Sequence, residues 1–352
     1  MSELVDWGLA ESVGARVSPS GPDVSMVEAS EAVSQLQDLA AQAVDVVAGR
    51  TGMIAPPDQT RTVVVDRPAW IESNLAGFQR VVSPMLEQVR ERGDAVPLSG
   101  VTSKVSAVEI GAVLGWLSGK VLGQYEAFVE PGQPGRLLLV APNIVAAERA
   151  LDVDPRDFRL WVCVHEETHR VQFGAVPWLS EYFLGEVNTF LLAADMTSGD
   201  AARRLLAVMR TVARVILGDS DASVVEAAQS DAQREVFERL TALMSLLEGH
   251  AEFVMDDVGP ETIPSIDRLR RRFERRRTQH GATEGLLRRL MGMDAKMRQY
   301  SQGRAFVAGV VDSVGVDGFN EIWREPATLP RLAEITDPTA WVERVHGSRR
   351  VA

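Results

Sequence analysis

Hydrophobic positions along this chain recur mostly at helical spacing. Between about residues 25 and 47, apolar side chains such as Ala32, Leu36 and Ala43 return every three to four positions, which is the pattern of a helix buried along one face. The same period predicts further helices over about 1–16, 67–92, 103–128, 155–173, 178–194, 199–217, 222–258, 264–279, 283–299, 302–314 and 338–346. We therefore predict a mainly α protein with a small β component.

Two short apolar runs interrupt the helical pattern and predict strands. Residues 62–65 are rich in β-branched side chains, and residues 135–143 contain the apolar run 137–141 before Pro142. Proline cannot continue a strand interior, so we expect the second strand to end there. A short acidic connection with Asp152 and Asp154 should then lead into the next helix.

One predicted helix, over residues 103–128, has a glycine at every fourth position: Gly111, Gly115, Gly119 and Gly123. Each glycine costs a helix up to about 1 kcal/mol, so a whole face of them predicts the close approach of another backbone. The charged residues Glu109 and Lys120 in the same segment favour a helix pair in water over a pair in a membrane.

Composition narrows the classes of protein that fit. A net charge of −12 argues against general nucleic-acid binding. Residues 1–10 lack the basic and apolar regions of a signal peptide, and no uncharged apolar run is long enough to span a bilayer. The single cysteine, Cys163, fits a reducing compartment and is expected to be a buried structural thiol rather than a ligand. We expect a cytoplasmic protein with no membrane or nucleic-acid partner.

The strongest chemical signal is the H-E-x-x-H motif from His165 to His169. Asp154 and Pro155 predict the start of the helix that carries it. Residues four apart lie on one helix face, so His165 and His169 can bind one metal ion. Glu166, beside the first histidine, can take a proton from a water activated by that ion. The motif predicts a Zn²⁺ site with Glu166 as the general base.

A catalytic zinc site normally has three protein ligands, so a third must come from elsewhere. The segment 247–252 offers Glu248, His250 and Glu252. Glu248 is the first choice, with His250 and Glu252 as alternatives. Glu252, one turn further on, would otherwise accept the outer N–H of either histidine of the motif, and His250 would donate to a developing oxyanion. Gly249 would let this helix approach the motif helix.

Two other groups of side chains have weaker signals. Tyr300, one turn after Lys296, is a candidate to stabilise the oxyanion, although a half-buried structural tyrosine has the same spacing. A run of arginines follows the third-ligand segment: Arg268, Arg270, Arg271, Arg272, Arg275, Arg276 and Arg277. With little aromatic interleaving, this run predicts a solvated face paired with the protein's own acids rather than a nucleic-acid site.

The two motifs together, H-E-x-x-H at 165–169 and E-x-x-x-E at 248–252, resemble the zincin clan in its branch with a glutamate as third ligand. More narrowly, the chain is similar to a bacterial family of zinc-dependent metalloproteases that is often associated by gene with the biosynthesis of a deazaflavin coenzyme. The matching stretches are Val5–Trp7, Leu9–Ala10, Gly21–Pro22, Ala69–Ile71, His165–Phe173, Ala175–Trp178, Glu248–Asp256 and Gln299–Tyr300. The gene association says little about chemistry, and we do not predict that coenzyme here.

The resemblance implies a zinc metallopeptidase acting on a peptide or protein, and the motifs leave open another amide as substrate. We also predict a helical part over 1–130 and a zincin-like catalytic part over 131–352, packed as one unit. A strand near the metal can pair with an extended substrate in such hydrolases, so residues 137–141 are either such a strand or an ordinary core strand. The alternative function is a non-catalytic zincin-fold protein whose metal is structural, and the intact Glu166 argues against it.

Overall fold

A computed structural model describes residues 5–56, 61–91, 100–126, 129, 135–192, 231–278 and 293–347, and helices dominate it. The helices are α1 (Trp7–Val17), α2 (Met26–Thr51), α3 (Arg67–Glu91), α4 (Gly100–Leu117), α5 (Ala141–Leu151), α6 (Pro155–Ala175), α7 (Leu179–Leu192), α8 (Asp231–Asp257), α9 (Ile266–Thr278), α10 (Met293–Asn320, kinked at Gly315) and α11 (Pro338–His346). Short 3-10 turns lie at Glu321–Trp323, Pro326–Thr328 and Leu332–Thr336. The prediction of a mainly α fold is confirmed. The helix expected over 199–217, residues 283–292 of the helix expected over 283–299, and the first residues of the helix expected over 222–258 lie outside the described residues.

Within the described ranges, three strands form one small sheet in the order β1-β3-β2, with β1 at Thr62–Val65, β2 at Gly123–Glu126 and β3 at Arg136–Val140. β1 runs parallel to β3 and β2 antiparallel to it. Because side chains alternate across a strand, Leu138 and Val140 face a cluster that includes Trp70 of α3. Leu139 faces the larger cluster formed by α2, α6 and α8. The sheet therefore separates α1, α3 and α4 from the helix that carries the H-E-x-x-H motif.

The segment predicted as one glycine-rich helix is divided in the structure. α4 ends at Leu117, and Gly123 is the first residue of β2. The side-chain amide of Asn143 donates to the carbonyls of Ser118 and Val121 at 2.7 and 2.6 Å. A side chain distant in sequence thus satisfies the carbonyl groups of the turn that ends the helix. The spacing of nearby residues could not reveal this contact.

Close backbone approach is confirmed for the first two of these glycines. A Cβ added at Gly111 would lie 2.3 Å from the carbonyl oxygen of Ala10, and one at Gly115 would lie 2.6 Å from that of Gly14. The helix pair that the glycine repeat predicts is the pair of α1 and α4.

Helix α5 lies between β3 and the expected acidic connection, which is limited to residues 152–154 before α6. Pro142 lies in its first turn, where the missing N–H costs nothing, so this proline begins a helix as well as ending a strand. α5 ends at Asp152, which adopts a left-handed conformation. Among the described residues, no helix is long and apolar enough to cross a membrane.

Candidate metal centre

Helix α6 carries the H-E-x-x-H motif, and most of the side chains of this helix are buried. Asp154 caps the helix by accepting from the backbone N–H of Asp157 at 3.0 Å, and Pro155 is in its first turn. Cys163 is fully buried, with its sulfur 4.0 Å from the carbonyl oxygen of Leu36 on α2. The prediction of a buried thiol is confirmed, and α2 and α8 pack along the sides of α6.

The three residues predicted as ligands come together between α6 and α8. Nε2 of His165 lies 3.3 Å from Nε2 of His169, and these two atoms lie 3.8 and 3.9 Å from the carboxylate oxygens of Glu248. Ligand bonds of 2.0–2.2 Å in a tetrahedral site place the ligand atoms about 3.4 Å apart. The donor atoms of this group therefore fit a zinc ion. The side chains remain 21%, 13% and 20% exposed, so solvent reaches the site.

Glu166 lies beside this group and is buried. Burial raises the pKa of its carboxyl well above the usual range, and the charge of Glu248 raises it further. The side chain lies against β2: a Cβ added at Gly123 would be 2.6 Å from Cγ and 2.7 Å from Cδ of Glu166. The absence of a side chain at position 123 thus leaves space for the predicted base, a role that the glycine repeat did not indicate.

Gln172, one turn after His169, was not identified from the sequence. It is fully buried. Its Oε1 lies 2.9 Å from Nδ1 of His169, and its Nε2 lies 2.9 Å from the carbonyl oxygen of Leu247 and 3.1 Å from Nδ1 of His250. Gln172 could have been identified from the sequence as a polar side chain on the buried face of the predicted helix, three residues after the predicted ligand His169.

The structure modifies the roles expected of Glu252 and His250. Nδ1 of His169 contacts Gln172 rather than Glu252, so the expected role of Glu252 towards that histidine is wrong, and a role towards His165 stays a prediction. Glu248, rather than His250, joins the two histidines. The His250 ring is 3% exposed and packs between Phe319 and Trp323 at 5.0 and 5.6 Å. Burial, with a smaller contribution from His169, lowers its pKa to about 3.

The close approach expected at Gly249 exists, but with a different helix. A Cβ at Gly249 would lie 2.2 Å from the carbonyl carbon of Gly303, which belongs to α10 and not to α6. The missing side chain at Gly249 thus lets α8 lie close to α10. Tyr300 and Lys296 also belong to α10, but their side chains lie outside what the structure describes, and their roles stay predictions.

Three arginines of the run pair with the protein's own acids. Arg268 and Arg272 contact Asp152 at 3.4 and 3.1 Å, and Arg270 contacts Asp256 at 3.4 Å. For these three arginines, the prediction of a solvated face with internal ion pairs is confirmed.

The strand that borders the site is β2, and of the two alternatives for residues 137–141 the structure supports the ordinary core strand. Residues 137–140 belong to the central strand β3, which is paired on both sides, so they present no edge to a substrate. β2 is an edge strand of the described sheet. The N–H of Val140 donates to the carbonyl of Leu122 at 2.8 Å. Antiparallel pairing alternates, so the backbone groups of Gly123 and Tyr125 point away from β3.

Comparison with known proteins gives a family and a structural relative. A family model described as zincin-like metallopeptidase matches residues 5–342. A solved structure, described as a proposed hydrolase with a novel fold from Chloroflexus aurantiacus, is similar over 99% of this chain and 100% of its own, with 29% identity and a TM-score of 0.67. None of the curated proteins matches the chain.

Proposed function

Because the chain belongs to the zincin-like metallopeptidase family, we propose that it is a zinc-dependent hydrolase that cleaves peptide bonds. The observation that carries this proposal is the convergence of His165, His169 and Glu248 next to the buried carboxylate of Glu166. Two neutral imidazoles and one carboxylate are a typical catalytic zinc set, and a fourth position is then left for water.

The chain's own residues would divide the work as follows. His165, His169 and Glu248 hold the ion, which would lower the pKa of a bound water and polarise the scissile carbonyl. Glu166 takes a proton from the attacking water at a carboxylate oxygen and passes it to the departing amine nitrogen. Its burial keeps this proton transfer away from bulk solvent.

Because the pKa of Glu166 is raised, we expect the ionisation of its carboxyl to depend on whether the metal is bound. Without an ion, burial and the nearby Glu248 favour the protonated form of Glu166. A dication held by the neighbouring ligands opposes both effects, because an opposite charge nearby lowers the pKa of a carboxyl. Glu166 therefore becomes a base when the site is loaded.

An extended peptide is the substrate best supported by the surroundings of the site. The backbone of Gly123 and Tyr125 points away from β3, on the strand that contacts Glu166. Addition of a peptide strand at this edge would place main-chain groups of the substrate beside the base. The ring of Tyr125 stacks on Phe173 at 6.1 Å, and this aromatic pair lies one helical turn beyond His169.

The alternative, a non-catalytic zincin with a structural metal, would need a closed coordination sphere. Within the described part of the chain, the group that could hold an ion contains three side chains. Structural zinc sites have four protein ligands, so three favour catalysis. A cytoplasmic location and the absence of a nucleic-acid partner remain predictions from composition.

The ligand set is tested by measuring bound zinc in the wild type, His169→Ala, Glu248→Gln and Glu238→Gln. We expect one zinc per chain in the wild type and in Glu238→Gln, the matched control, because Glu238 is an exposed carboxylate on α8. His169→Ala and Glu248→Gln should lose it. Full zinc in Glu248→Gln would show that another residue is the third ligand.

The reaction is tested with a mixed peptide library. Glu166→Gln should retain zinc and lose cleavage by about 10²–10⁴-fold, the usual contribution of a general base. Zinc-loaded wild type that leaves every peptide intact would contradict the proposed reaction.

A further inference from the structure

The amide of Gln172 links the two helices that carry the proposed ligands. Gln172 belongs to α6 and contacts His169 on the same helix, together with the Leu247 carbonyl and His250 on α8. Leu247 immediately precedes Glu248 in the chain. One side chain thus touches a ligand on one helix and the peptide unit next to a ligand on the other.

The orientation of the Gln172 amide follows from its contact with the Leu247 carbonyl, which can only accept a hydrogen bond. The carbonyl oxygen of Leu247 has no proton, so the nitrogen of the Gln172 amide must face it. The amide oxygen then faces Nδ1 of His169 and accepts a hydrogen bond from its N–H. His169 is therefore protonated at Nδ1, and the lone pair of its Nε2 is directed to the group formed with His165 and Glu248.

The second proton of the amide nitrogen extends the network into the core. It is donated to Nδ1 of His250, whose ring is enclosed by Phe319 and Trp323. The carbonyl of Trp323 in turn accepts from the indole N–H of Trp178 at 3.0 Å. Both polar atoms of the Gln172 side-chain amide thus form hydrogen bonds, and the neighbouring rings are fixed by packing. The amide therefore has one favoured orientation.

We infer that Gln172 is a positioning residue that keeps His169 in its metal-binding tautomer and aligns it with Glu248 on α8. The inference rests on the proposed metal site and adds to it a residue that does not touch the ion. Groups that bind the outer nitrogen of a ligating histidine fix its ring and tautomer. His250 would act through Gln172 and not on the substrate.

A merely structural glutamine would satisfy buried groups without affecting the metal, and two substitutions separate the roles. Gln172→Met removes both the acceptor for His169 and the donor to Leu247. Gln172→Glu keeps an acceptor for His169 in either protonation state of the carboxyl. Gln35→Met is the matched control, because Gln35 on α2 accepts from Arg159 on α6 at 2.6 Å and lies far from the ligands in sequence.

Zinc affinity, measured by competition with a chromophoric chelator, is the first readout, and the visible spectrum of the cobalt-substituted protein is the second. We expect Gln172→Met to lower the zinc affinity about 10–100-fold and to alter the cobalt spectrum. Gln172→Glu should recover most of the affinity, and Gln35→Met should match the wild type. Wild-type affinity in Gln172→Met, or an equal loss in both Gln172 variants, would overturn the inference.

A measurement on the unmodified protein covers the case in which a variant does not fold. The chain has five histidines, and ¹⁵N labelling of their rings distinguishes the two tautomers by NMR. In the metal-free wild type, His169 should be protonated at Nδ1 and His250 at Nε2, and His169 protonated at Nε2 would refute the inference. A wild type that binds zinc but cleaves no peptide would refute the proposed hydrolysis and leave this inference standing.

Discussion

Glu166 occupies a space that exists because residue 123 has no side chain. The distances of 2.6–2.9 Å from a Cβ at that position to three atoms of Glu166 are shorter than real contacts allow. Glu166 is buried, so its carboxylate has little room to move aside.

Gly123→Ala is therefore expected to displace the base and not the ligands. Peptide cleavage should fall by roughly 10²-fold, the cost of a small misplacement of a catalytic group, while bound zinc stays at the wild-type level. Gly77→Ala is the control, because nothing lies within 4 Å of a Cβ there. Cleavage and zinc content should be measured on the same samples, and wild-type activity in Gly123→Ala would contradict the expected contact.

The buried carboxyl of Glu166 also predicts a pH dependence of stability. Its pKa is raised in the folded, metal-free protein, so its contribution to stability is present below the unfolded pKa and is lost as the pH rises towards the folded value. Metal-free Glu166→Gln should thus gain stability over the wild type as the pH increases, by on the order of 1 kcal/mol per pH unit at most.

Urea unfolding of the two metal-free proteins at pH 5 and pH 8 checks this sign. The difference between variant and wild type should be larger at pH 8. A difference that is the same at both pH values would show that Glu166 has an ordinary pKa. Saturating zinc should reduce the pH dependence, because the ion favours the ionised carboxylate.

At the scale of elements, the glycine repeat had two different physical causes. Gly111 and Gly115 let α1 lie against α4, and Gly123 lets β2 lie against α6. The spacing indicated close packing in general, but the helix end at Leu117 depended on Asn143 from another element.

The α1–α4 contact should depend on the glycine at position 111. Gly111→Ala places a methyl group 2.3 Å from the Ala10 carbonyl oxygen, so we expect a loss of roughly 1–3 kcal/mol in the free energy of unfolding, as for other overpacked sites. Gly185→Ala in α7, with nothing within 4 Å, should gain about 0.5–1 kcal/mol. Denaturant unfolding of both variants measures the contrast, and equal stabilities would rule out the tight contact.

At the scale of the whole molecule, the metal centre depends on both parts of the chain. The proposed ligands all follow residue 130, but β3 is paired with β1 and β2, and α6 packs along α2. The division into 1–130 and 131–352 stays a prediction, and these contacts are consistent with the expected packing as one unit.

The fragment 131–352 alone should therefore fail to form the site. Without β1 and β2, both sides of β3 lose their hydrogen-bond partners, and the α2 side of α6 exposes Cys163 and its apolar neighbours. We expect little stoichiometric zinc in this fragment, and recovery when the fragment 1–130 is co-expressed. Full zinc binding by 131–352 alone would show that the second part folds independently.

The sequence by itself determined the helical class of the protein, the helix that carries the H-E-x-x-H motif and the donor groups of the proposed site. The start of this helix at Asp154 and Pro155 and the shared face of His165 and His169 depend only on residues near one another in the chain. A sequence pattern can therefore predict them. Glu248 could also be proposed as a ligand from the sequence, because it is a carboxylate that follows the apolar pattern of a second predicted helix.

Only the tertiary structure decided which groups surround those ligands. The roles of Gln172, Gly123 and Asn143 arise from contacts between distant segments, and no periodicity encodes which helix or strand lies opposite a given residue. Gly249 faces α10 for the same reason. Local signals specify elements and donor atoms, whereas close packing selects the neighbours that orient them.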